Sequence, residues 1–499
     1  MAGTYTHKFD TPVYKGEISI KTGLFINNKW VAPVEGKTID VINPATGKVI
    51  TAVSAGSSQD VDIAVKAAEE AYKTVWGLRC SGRERGKLLY KLAELIERDA
   101  DELAALEALD VGKVFANAKA GDVGGAIATI RYYAGWADKI QGKTIEVHSK
   151  FTYTRHEPYG AIGQIVPWNF PLFMVSWKLG PALATGNTIV LKPSELTPLT
   201  ALKVGDLIVE AGFPPGVVNI VNGYGSVVGQ AITEHPRLRK VAFTGSTVVG
   251  RKVMKASAET NLKVVTLELG GKSPTIIFDD ADLEKAVRWA SFGIFANMGQ
   301  ACTAGSRIFV QEGIYNNFLP LFQKAAEDLA AKTGDPFALG TQHGPQVSQT
   351  QFDRVMGFIE SGKAEGATVL TGGERHGTEG YFIKPTIITD VHLDMKLTRE
   401  EIFGPVCTII KFKTEEEVIE KGNDTEYGLG SNVFTENLNR AIRVSNSLQA
   451  GSTWVNIAQV TDPAVPFGGY KHSGIGRELG EYALDTYTQV KGVHINIGP

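Results

Sequence analysis

The sequence predicts an α/β protein, built from parallel sheets whose strands alternate with helices. Between Gly160 and Thr244, short apolar segments recur with helix-compatible stretches between them, the pattern of a parallel sheet covered on both faces. A second block of the same kind begins near Gly271. Because the chain has 499 residues and exceeds one ordinary core, two or three domains are expected.

Composition and charge narrow the class of protein before any motif is considered. Hydrophobic residues make up 43% and charged residues 21% of the chain, as in ordinary globular proteins. Lys and Arg total 51 against 54 for Asp and Glu, so no basic excess is present to neutralise a nucleic-acid backbone. No apolar window is long enough to span a bilayer. We therefore expect neither a nucleic-acid partner nor a membrane partner.

Cysteine usage and the amino-terminal sequence favour the cytoplasm. Three cysteines make no disulfide framework, and their odd number is typical of a reducing compartment. Residues 1–10 lack the apolar run of a secretory signal. A mature mitochondrial form that has lost its transit peptide stays open as an alternative.

The amino-terminal region contains short strands and then helices. Strands are predicted within 23–53, and a helix over Ser57–Trp76. Ser81–Glu84 has capping-box spacing ahead of the next helix, and Asp99 with Glu102 repeats it. We expect these helices to be scaffold without chemistry.

Two further regions alternate polar and apolar residues. The pattern over 143–155 predicts a β-ribbon with few apolar residues for a core of its own. Such a ribbon lies on its own domain or reaches a partner subunit. The tail Tyr487–Ile495 alternates as well and is expected to pair with it.

Four predicted strands form the central sheet. They are Gly163–Pro167, Asn187–Lys192, Val217–Val221 and Lys240–Thr244. The predicted sheet is Rossmann-like, and ligands of such sheets bind by default in the crevice at the carboxyl ends of the strands. In the second block, Thr275–Phe278 is predicted to be a strand and Ala281–Met298 a helix.

The turn after the fourth strand is a candidate phosphate site. In Phe243–Gly250 the glycines are spaced G-x-x-x-x-G, with Ser246 and Thr247 where a middle glycine could stand. A strand, a glycine turn and a helix place backbone N–H groups towards a phosphate. The motif lacks the Lys-Ser/Thr of a P-loop, and taken alone such a turn is structural about half the time.

Charged or polar side chains also follow the first two strands. Lys192 and Glu195 stand three residues apart, a spacing that suits a sugar-phosphate, although a surface ion pair is equally consistent with it. Asn169 lies between Pro167 and Pro171. Its amide is a candidate donor to a developing oxyanion, and turn-capping is the commoner role of asparagine.

Cys302 and Glu268 are the candidates for nucleophile and base. Small residues surround Cys302 within Gly299–Gly305, whereas Cys80 and Cys407 fit the description of inert buried cysteines. A thiol needs a lowered pKa or a nearby base. Leucines flank Glu268, and burial among them is expected to raise its pKa. No histidine pairs obviously with Cys302.

Taken together, these motifs resemble the NAD(P)-dependent aldehyde dehydrogenases, in the class of cytosolic, mitochondrial and retinal enzymes. The resemblance covers nearly the whole chain. The motifs that carry it are Pro167–Pro171, Leu191–Glu195, Phe243–Gly250, Leu267–Pro274, Gly299–Cys302, Glu400–Pro405 and Pro466–Lys471.

The resemblance implies a catalytic cycle. Cys302 attacks an aldehyde to give a thiohemiacetal, whose oxyanion Asn169 and the Cys302 N–H hold. Loss of hydride leaves a thioester, which water activated by Glu268 hydrolyses to a carboxylic acid. Glu478 matches a carboxylate that exchanges protons with Glu268. No metal is implied.

The resemblance also implies a cofactor site for NAD, with NADP as a weaker alternative because Glu195 disfavours a 2′-phosphate. The residues that match it are Ile165, Trp168, Lys192, Glu195, Gly225, Gly245, Ser246, Val249, Gly250, Leu269, Glu401 and Phe403. The residues that match the substrate tunnel are Phe170, Met174, Trp177, Thr303, Thr461 and Phe467. The segment Asn456–Ala464 is smaller and more polar than in relatives, which predicts bulky or polar aldehydes as substrates.

Domains and partners follow from the same resemblance. The implied NAD-binding domain covers 1–138 and 160–270, and the catalytic domain covers 271–470. Residues 139–159 and 471–499 are assigned to an oligomerisation element with the tail, and a homotetramer, a dimer of dimers, is expected. Two alternatives stay open: a dehydrogenase that uses coenzyme A to release the acyl group, and a non-catalytic, crystallin-like paralogue.

Overall fold

The computed structural model describes residues 3–498. Hairpins and helices come first, as expected. Their bounds are β1 (Thr4–Asp10), β2 (Lys15–Lys21), β3 (Leu24–Ile26), β4 (Lys29–Val31), β5 (Thr38–Asn43), β6 (Lys48–Ser54), α1 (Ser58–Thr74), α2 (Gly82–Arg98), α3 (Ala100–Val111), α4 (Phe115–Asn117) and α5 (Gly124–Trp136). The capping box of Ser81 and Glu84 is present. The predicted cap at Asp99 is wrong, because that carboxylate accepts from the Arg98 guanidinium instead.

The ribbon and the central sheet follow along the chain. Their elements are β7 (Thr144–Val147), β8 (Lys150–Pro158), β9 (Ala161–Ile165), α6 (Pro171–Ala184), β10 (Thr188–Lys192), α7 (Leu199–Ala211), β11 (Val218–Ile220), α8 (Gln230–Glu234), β12 (Lys240–Thr244), α9 (Thr247–Glu259) and β13 (Val264–Glu268).

The second α/β block and the tail complete the chain. Their elements are β14 (Pro274–Ile277), α10 (Leu283–Phe295), β15 (Arg307–Gln311), α11 (Glu312–Ala330), α12 (Gln349–Ala364), β16 (Thr368–Thr371), β17 (Thr386–Thr389), α13 (Lys396–Arg399), β18 (Val406–Phe412), α14 (Glu415–Asn423), β19 (Gly430–Phe434), α15 (Leu438–Ser447), β20 (Ser452–Val455), β21 (Gly474–Ile475), α16 (Tyr482–Thr486) and β22 (Thr488–Asn496).

Two large sheets organise the molecule. The first has eight strands in the order β21-β13-β12-β9-β10-β11-β3-β4, and the second has seven in the order β16-β17-β18-β15-β14-β19-β20. Strands β13, β12, β9, β10 and β11 run parallel. From β9 the chain moves outwards to β10 and β11, and then returns to the other side at β12. This reversal creates a crevice between β9 and β12, as in doubly wound sheets.

The ribbon pairs with the tail as predicted. Strand β22 runs antiparallel to β8 along its whole length, and β8 pairs with β7. Within residues 471–498, only β22 joins the ribbon. Strand β21 instead pairs with β13 at the edge of the first sheet, so the stretch before β22 is tied to the central sheet.

The helix before the cysteine is shorter than predicted. It ends at Phe295, not Met298, and a tight 3₁₀ turn covers Ala296–Gly299. Asn297 and Met298 adopt left-handed backbone angles, φ 49° and φ 57°. An α-helix cannot continue through such residues, and the chain turns sharply towards Cys302.

Candidate active site

The predicted site residues meet between the two sheets. Asn169 follows β9, Gly245 follows β12, and Glu268 ends β13 at the carboxyl edge of the first sheet. Cys302 precedes β15 at the amino edge of the second sheet. They line one cavity of about 300 Å³. The other predicted residues that line it are Trp168, Phe170, Met174, Trp177, Ser246, Leu269, Thr303, Glu401, Phe403, Thr461 and Phe467.

Cys302 is reachable from the cavity but otherwise surrounded by protein. A side chain on Gly271 would place its Cβ 2.4 Å from the Cys302 carbonyl oxygen, so only glycine permits this approach. Burial raises the pKa of the Cys302 thiol to about 12, and the nearby carboxyls of Glu268 and Glu401 add to the effect. The resting group is therefore a thiol, and it needs a base to become a nucleophile. Cys80, expected to be buried, is half-exposed, while Cys407 is buried as predicted.

Glu268 is a buried carboxyl with a free oxygen. Its Oε2 has no hydrogen-bond partner among residues 3–498, and a Cβ at Gly468 would lie 2.9 Å from Oε1. Burial raises its pKa well above the usual value, and the negative charge of Glu478 acts in the same direction. The predicted rise of the pKa thus has a second cause that the flanking leucines do not reveal.

Glu478 does not line the cavity; it lies behind Glu268. Its Oε1 accepts a hydrogen bond from Lys178 Nζ, and both side chains are almost fully buried, at 2% and 1% exposed. Sequence reasoning missed Lys178. A lysine inside the apolar helix α6 was the available signal, because a lysine in such a place needs a buried partner.

Asn169 is held by the Gln300 carbonyl and by the side-chain amide of Asn297. Its Nδ2 donates to the Gln300 carbonyl at 2.9 Å. Asn297 Nδ2 donates to the Asn169 carbonyl at 3.0 Å and to the Gln300 carbonyl at 2.9 Å. One N–H of the Asn169 amide is thereby fixed, which orients the other within the cavity that Asn169 lines. Asn297 and Gln300 were not predicted to contribute.

Lys192 and Glu195 form a pair that is not a surface ion pair. Lys192 Nζ lies 2.9 Å from Glu195 Oε2, with the lysine side chain 3% exposed. Glu195 Oε1 accepts from the Gly225 N–H at 3.2 Å. Burial lowers the pKa of Lys192, although Glu195 opposes the effect. Ile165 lies beside this pair, since a Cβ on Gly229 would contact both Lys192 and Ile165.

The turn from Gly245 to Gly250 is shaped by close packing. A Cβ at Gly250 would meet Leu269 at 2.8 Å, and one at Gly245 would meet the Phe243 ring at 2.5 Å. Ser246 caps helix α9, since its hydroxyl accepts from the Val249 N–H at 3.4 Å. The first turn of this helix therefore presents backbone N–H groups at the crevice.

Glu401 and Phe403 form the wall of the cavity opposite the turn. Glu401 Oε1 accepts from the Gly271 N–H at 2.9 Å, and burial raises the pKa of Glu401 to about 7. The Phe403 ring packs edge-on against Trp168 at 5.2 Å. Arg354 donates to the Glu401 carbonyl at 2.8 Å and lines the cavity, a contribution that the motifs did not indicate.

A wider outer funnel, of about 990 Å³, opens beside the cavity. The two spaces share Phe170, Phe173, Gln459 and Thr461. Gln459 has left-handed backbone, φ 57°, and its Nε2 donates to the Gly293 carbonyl. Phe173 was not singled out from the sequence, whereas Gln459 lies in the segment Asn456–Ala464 that was.

Further inward, the predicted tunnel residues Trp177 and Phe467 pack edge to face, with ring centroids 5.1 Å apart. They form a small apolar cluster against which Met174 and Cys302 pack.

Residues 3–498 contain neither a cluster of metal ligands nor a membrane-spanning helix. No group of three or more His, Cys, Asp or Glu side chains there is placed to hold a metal ion. No helix in the same part of the chain is long and apolar enough to cross a bilayer.

Fold and site together define a class: α/β proteins with a doubly wound sheet whose carboxyl edge faces a cysteine and a buried glutamate. The chain belongs to the aldehyde dehydrogenase family: the sequence model of that family matches residues 30–493. The family and fold class predicted from the sequence are confirmed.

Individual relatives are similar along their whole length. An aldehyde dehydrogenase of Agaricus bisporus is 62% identical over 498 residues, covering 100% of this chain and 99% of the relative. Aldehyde dehydrogenase 1A1 of Homo sapiens is 52% identical over 492 residues, covering 98% of each. A solved NAD+ complex of aldehyde dehydrogenase from Bacillus cereus has a TM-score of 0.94 at 51% identity, covering 95% of this chain and 96% of that chain.

Proposed function

We propose that this protein oxidises aldehydes to carboxylic acids with NAD, through a thioester on Cys302. The observation that carries the proposal is that Cys302, Asn169 and Glu268 line one cavity. An aldehyde dehydrogenase activity with NAD accords with the family match and with the NAD+ complex of the Bacillus cereus relative.

The first step is attack of Cys302 on the aldehyde carbon. As the S–C bond forms, the carbonyl electron pair moves to oxygen, and the Asn169 amide with the Cys302 N–H donates to that oxyanion. Because the pKa of the thiol is raised to about 12, its proton must go to a base. Glu268, whose charge acts on Cys302, is the carboxylate placed to accept it.

The residues of the crevice fit a dinucleotide. Lys192 and Glu195 would hold the adenosine ribose, the helix turn after Gly245 the pyrophosphate, and Glu401 the second ribose, with Phe403 beside the ring. The first turn of α9 follows Gly245 directly, and its backbone N–H groups are the donors that would meet the phosphates. NAD, when bound, accepts the hydride that leaves the substrate carbon, and a thioester then remains on Cys302.

Glu268 then serves as the base for hydrolysis. It takes a proton from water, the hydroxyl adds to the thioester carbonyl, and the C–S bond breaks to release the acid. Only ionised Glu268 accepts a proton. Since burial and Glu478 raise its pKa, hydrolysis should accelerate as pH rises through that pKa and be lost below it. Glu478, bonded to Lys178, would exchange protons with Glu268.

The substrate class follows from the outer funnel. Its mouth is wide, and Gly125 contributes no side chain to it. A Cβ at this position would collide with the Phe173 ring at 2.6 Å. Polar groups such as Gln459 and Thr461 line the passage to Cys302. Bulky aldehydes, including those with a polar end, fit this passage better than acetaldehyde does.

Product analysis tests the proposal. With NAD and an aldehyde, the protein should release free acid and NADH in equal amounts without coenzyme A. Turnover that requires coenzyme A and yields acyl-CoA would overturn it in favour of an acylating dehydrogenase. An absence of NADH with a broad panel of aldehydes would instead favour a non-catalytic paralogue.

Self-association and location extend the proposal. Strand β7 is exposed along its whole length, and Phe151 and Ile495 of the paired ribbon are 46% and 43% exposed. Such an apolar edge suits pairing with another copy, and a homotetramer is the proposed assembly. The cytoplasm stays the predicted compartment.

A further inference from the structure

The helix α6 begins directly after the proposed oxyanion donor. Asn169 stands two residues before Pro171, the first residue of α6. Phe170, at the start of the helix, provides no side-chain cap, and N–H groups in the first turn of a helix have no partner within it. Leu172, the second residue of α6, is 1% exposed. Its N–H therefore needs an acceptor from another element, because an unpaired buried N–H is costly.

Glu107 of helix α3 supplies that acceptor. Its Oε1 accepts from the Leu172 N–H at 2.9 Å, and the residue is 0% exposed. The same oxygen accepts from the Thr200 hydroxyl of α7 at 2.8 Å. Glu107 is not among the residues that line the cavity or the outer funnel. It is therefore placed to act on the position of α6 and not on the substrate.

A second contact from the same end of α3 reaches the residue beside Asn169. Lys113, just after α3, lies with its Nζ 3.8 Å from the centre of the Phe170 ring. The lysine pairs with Asp122, and both side chains of the pair are 4% exposed. An ammonium over an aromatic ring is attractive, and more so when it is desolvated. Phe170 and Leu172, one and three residues after Asn169, are thus both held from α3 and its end.

Asn169 is thereby held from two sides. The Gln300 carbonyl and the Asn297 amide hold it from the segment that leads to Cys302. Glu107 holds the helix that follows it. An oxyanion donor must stand about 2.7–3.1 Å from the position where the charge develops. Because a displacement of about 1 Å can cost ~10²-fold in rate, the position of α6 relative to Cys302 should affect catalysis.

We propose that Glu107 is a positioning residue which, through the Leu172 N–H, holds α6 where the Asn169 amide can donate to the oxyanion. The inference rests on the proposed function, since it concerns the oxyanion formed when Cys302 attacks an aldehyde. It requires an acceptor at residue 107 and not a negative charge. Burial raises the pKa of Glu107, and the carboxyl can accept through Oε1 in its protonated and in its ionised form.

The test is the rate of the first turnover, measured as NADH formation in a stopped-flow instrument at saturating NAD and aldehyde. Glu107→Leu removes the acceptor and keeps the bulk, and the rate should fall ~10-fold, within the ~10²-fold that a displacement of about 1 Å can cost. Glu107→Gln keeps an acceptor oxygen and should hold the rate within about twofold of the unchanged protein. The dissociation constant of NAD, from fluorescence titration, should change little in either variant.

Combination with Asn169→Ala separates positioning from a general loss of structure. If Glu107 acts through the Asn169 amide, Glu107→Leu should slow the first turnover of Asn169→Ala by less than about twofold, because substitutions that act on one group are not additive. A merely structural role would lower the rate by the same factor in both backgrounds. That result would overturn the inference.

Thr200→Val is the matched control. Thr200 is 0% exposed and bonds the same Glu107 oxygen, but from α7, and valine replaces its hydroxyl with a methyl group of similar size. The bond from the Leu172 N–H remains, so the first-turnover rate should stay within about twofold. A loss equal to that of Glu107→Leu would assign the effect to α7 and so contradict the inference.

Two further results would overturn it. One is a folded Glu107→Leu whose first-turnover rate equals that of the unchanged protein. If this variant does not fold, Glu107→Asp, which withdraws the carboxyl by one methylene, takes its place and should slow the rate by a smaller factor. The other is Glu107→Gln as slow as Glu107→Leu, since the charge and not the acceptor would then matter. Failure of the proposed function is distinguishable, because the unchanged protein would then form no NADH from any aldehyde.

Discussion

The cavity around Cys302 and the outer funnel beside it are built from different parts of the fold. Asn169, Glu268 and Cys302, the proposed reacting groups of the cavity, stand at strand ends of the first sheet or on the loop before β15. Buried partners hold Asn169 in place. The funnel is lined by helix ends and by the irregular segment that contains Gln459 and Thr461. Strand ends are fixed by sheet hydrogen bonds, whereas loop positions tolerate substitution. We therefore propose that the reaction type is set in the cavity and the choice of substrate in the funnel.

The largest effect should come from the nucleophile. Cys302→Ser should lower kcat on the order of 10⁴-fold or more, as removal of a nucleophile does elsewhere, for every aldehyde tested. Cys80→Ser, at a partly exposed cysteine just before helix α2 and outside the cavity lining, should leave kcat within about twofold, like most surface substitutions. Steady-state NADH production checks both, and equal losses would remove the distinction between the two cysteines.

Loss of the oxyanion donor Asn169 should have the second-largest effect on kcat. Asn169→Ala removes the amide that Gln300 orients, and the loss in kcat should be ~10²–10³-fold, the usual effect of deleting one such donor. Binding of NAD, measured by fluorescence titration, should change little. A fall in NAD affinity with unchanged kcat would instead assign Asn169 to the cofactor side of the cavity.

A smaller effect is expected at Glu195, on the preference for NAD over NADP. Glu195→Gln removes a negative charge that would repel a 2′-phosphate, and the ratio of kcat/KM for NADP over NAD should rise about tenfold, equivalent to ~1.4 kcal/mol. Glu210→Gln, at an exposed glutamate paired with Arg98, is the control. An unchanged ratio in Glu195→Gln would show that this carboxylate does not read the ribose.

The funnel should give the smallest effect and the most selective one. Gln459→Leu makes the passage apolar, and preference for apolar over polar bulky aldehydes should rise by ~10-fold, within the 1–3 kcal/mol that a pocket contact supplies. Because acetaldehyde does not fill the funnel, its kcat/KM should stay level. A comparable change with acetaldehyde would show that Gln459 acts on every aldehyde within the cavity and does not select substrates in the funnel.

The difference between strand ends and other positions also explains which site residues could be predicted from the sequence. Asn169 and Glu195 were predictable because each follows an apolar strand and the ends of parallel strands meet. Glu268 was predictable from the leucines on either side of it. Lys178 was not, since it lies within an apolar helix and its partner Glu478 is 300 residues away in the chain. The order of strands in the second sheet was likewise beyond local patterns.

Left-handed residues account for most of the remaining differences. The pattern from Ala281 to Met298 continues a helical period, and nothing in it marks Asn297 and Met298 as left-handed. Gln459 adopts the same conformation in the segment beside the cysteine. Such backbone is set by tertiary contacts, here with Gly293 and with Asn169, and not by the residue types themselves.

The most direct test of the account is to isolate the acyl group on the cysteine. Glu268→Gln keeps the shape of the base and removes its ability to take a proton, so hydrolysis should slow ~10²-fold or more. The first formation of NADH should slow by a smaller factor, because a thiol gives up its proton more readily than water does, and the acyl group should therefore accumulate. After mixing with NAD and a bulky aldehyde, intact-mass and peptide mass spectrometry should find the acyl adduct on Cys302. NADH formed without an adduct, or an adduct on Cys80, would contradict it.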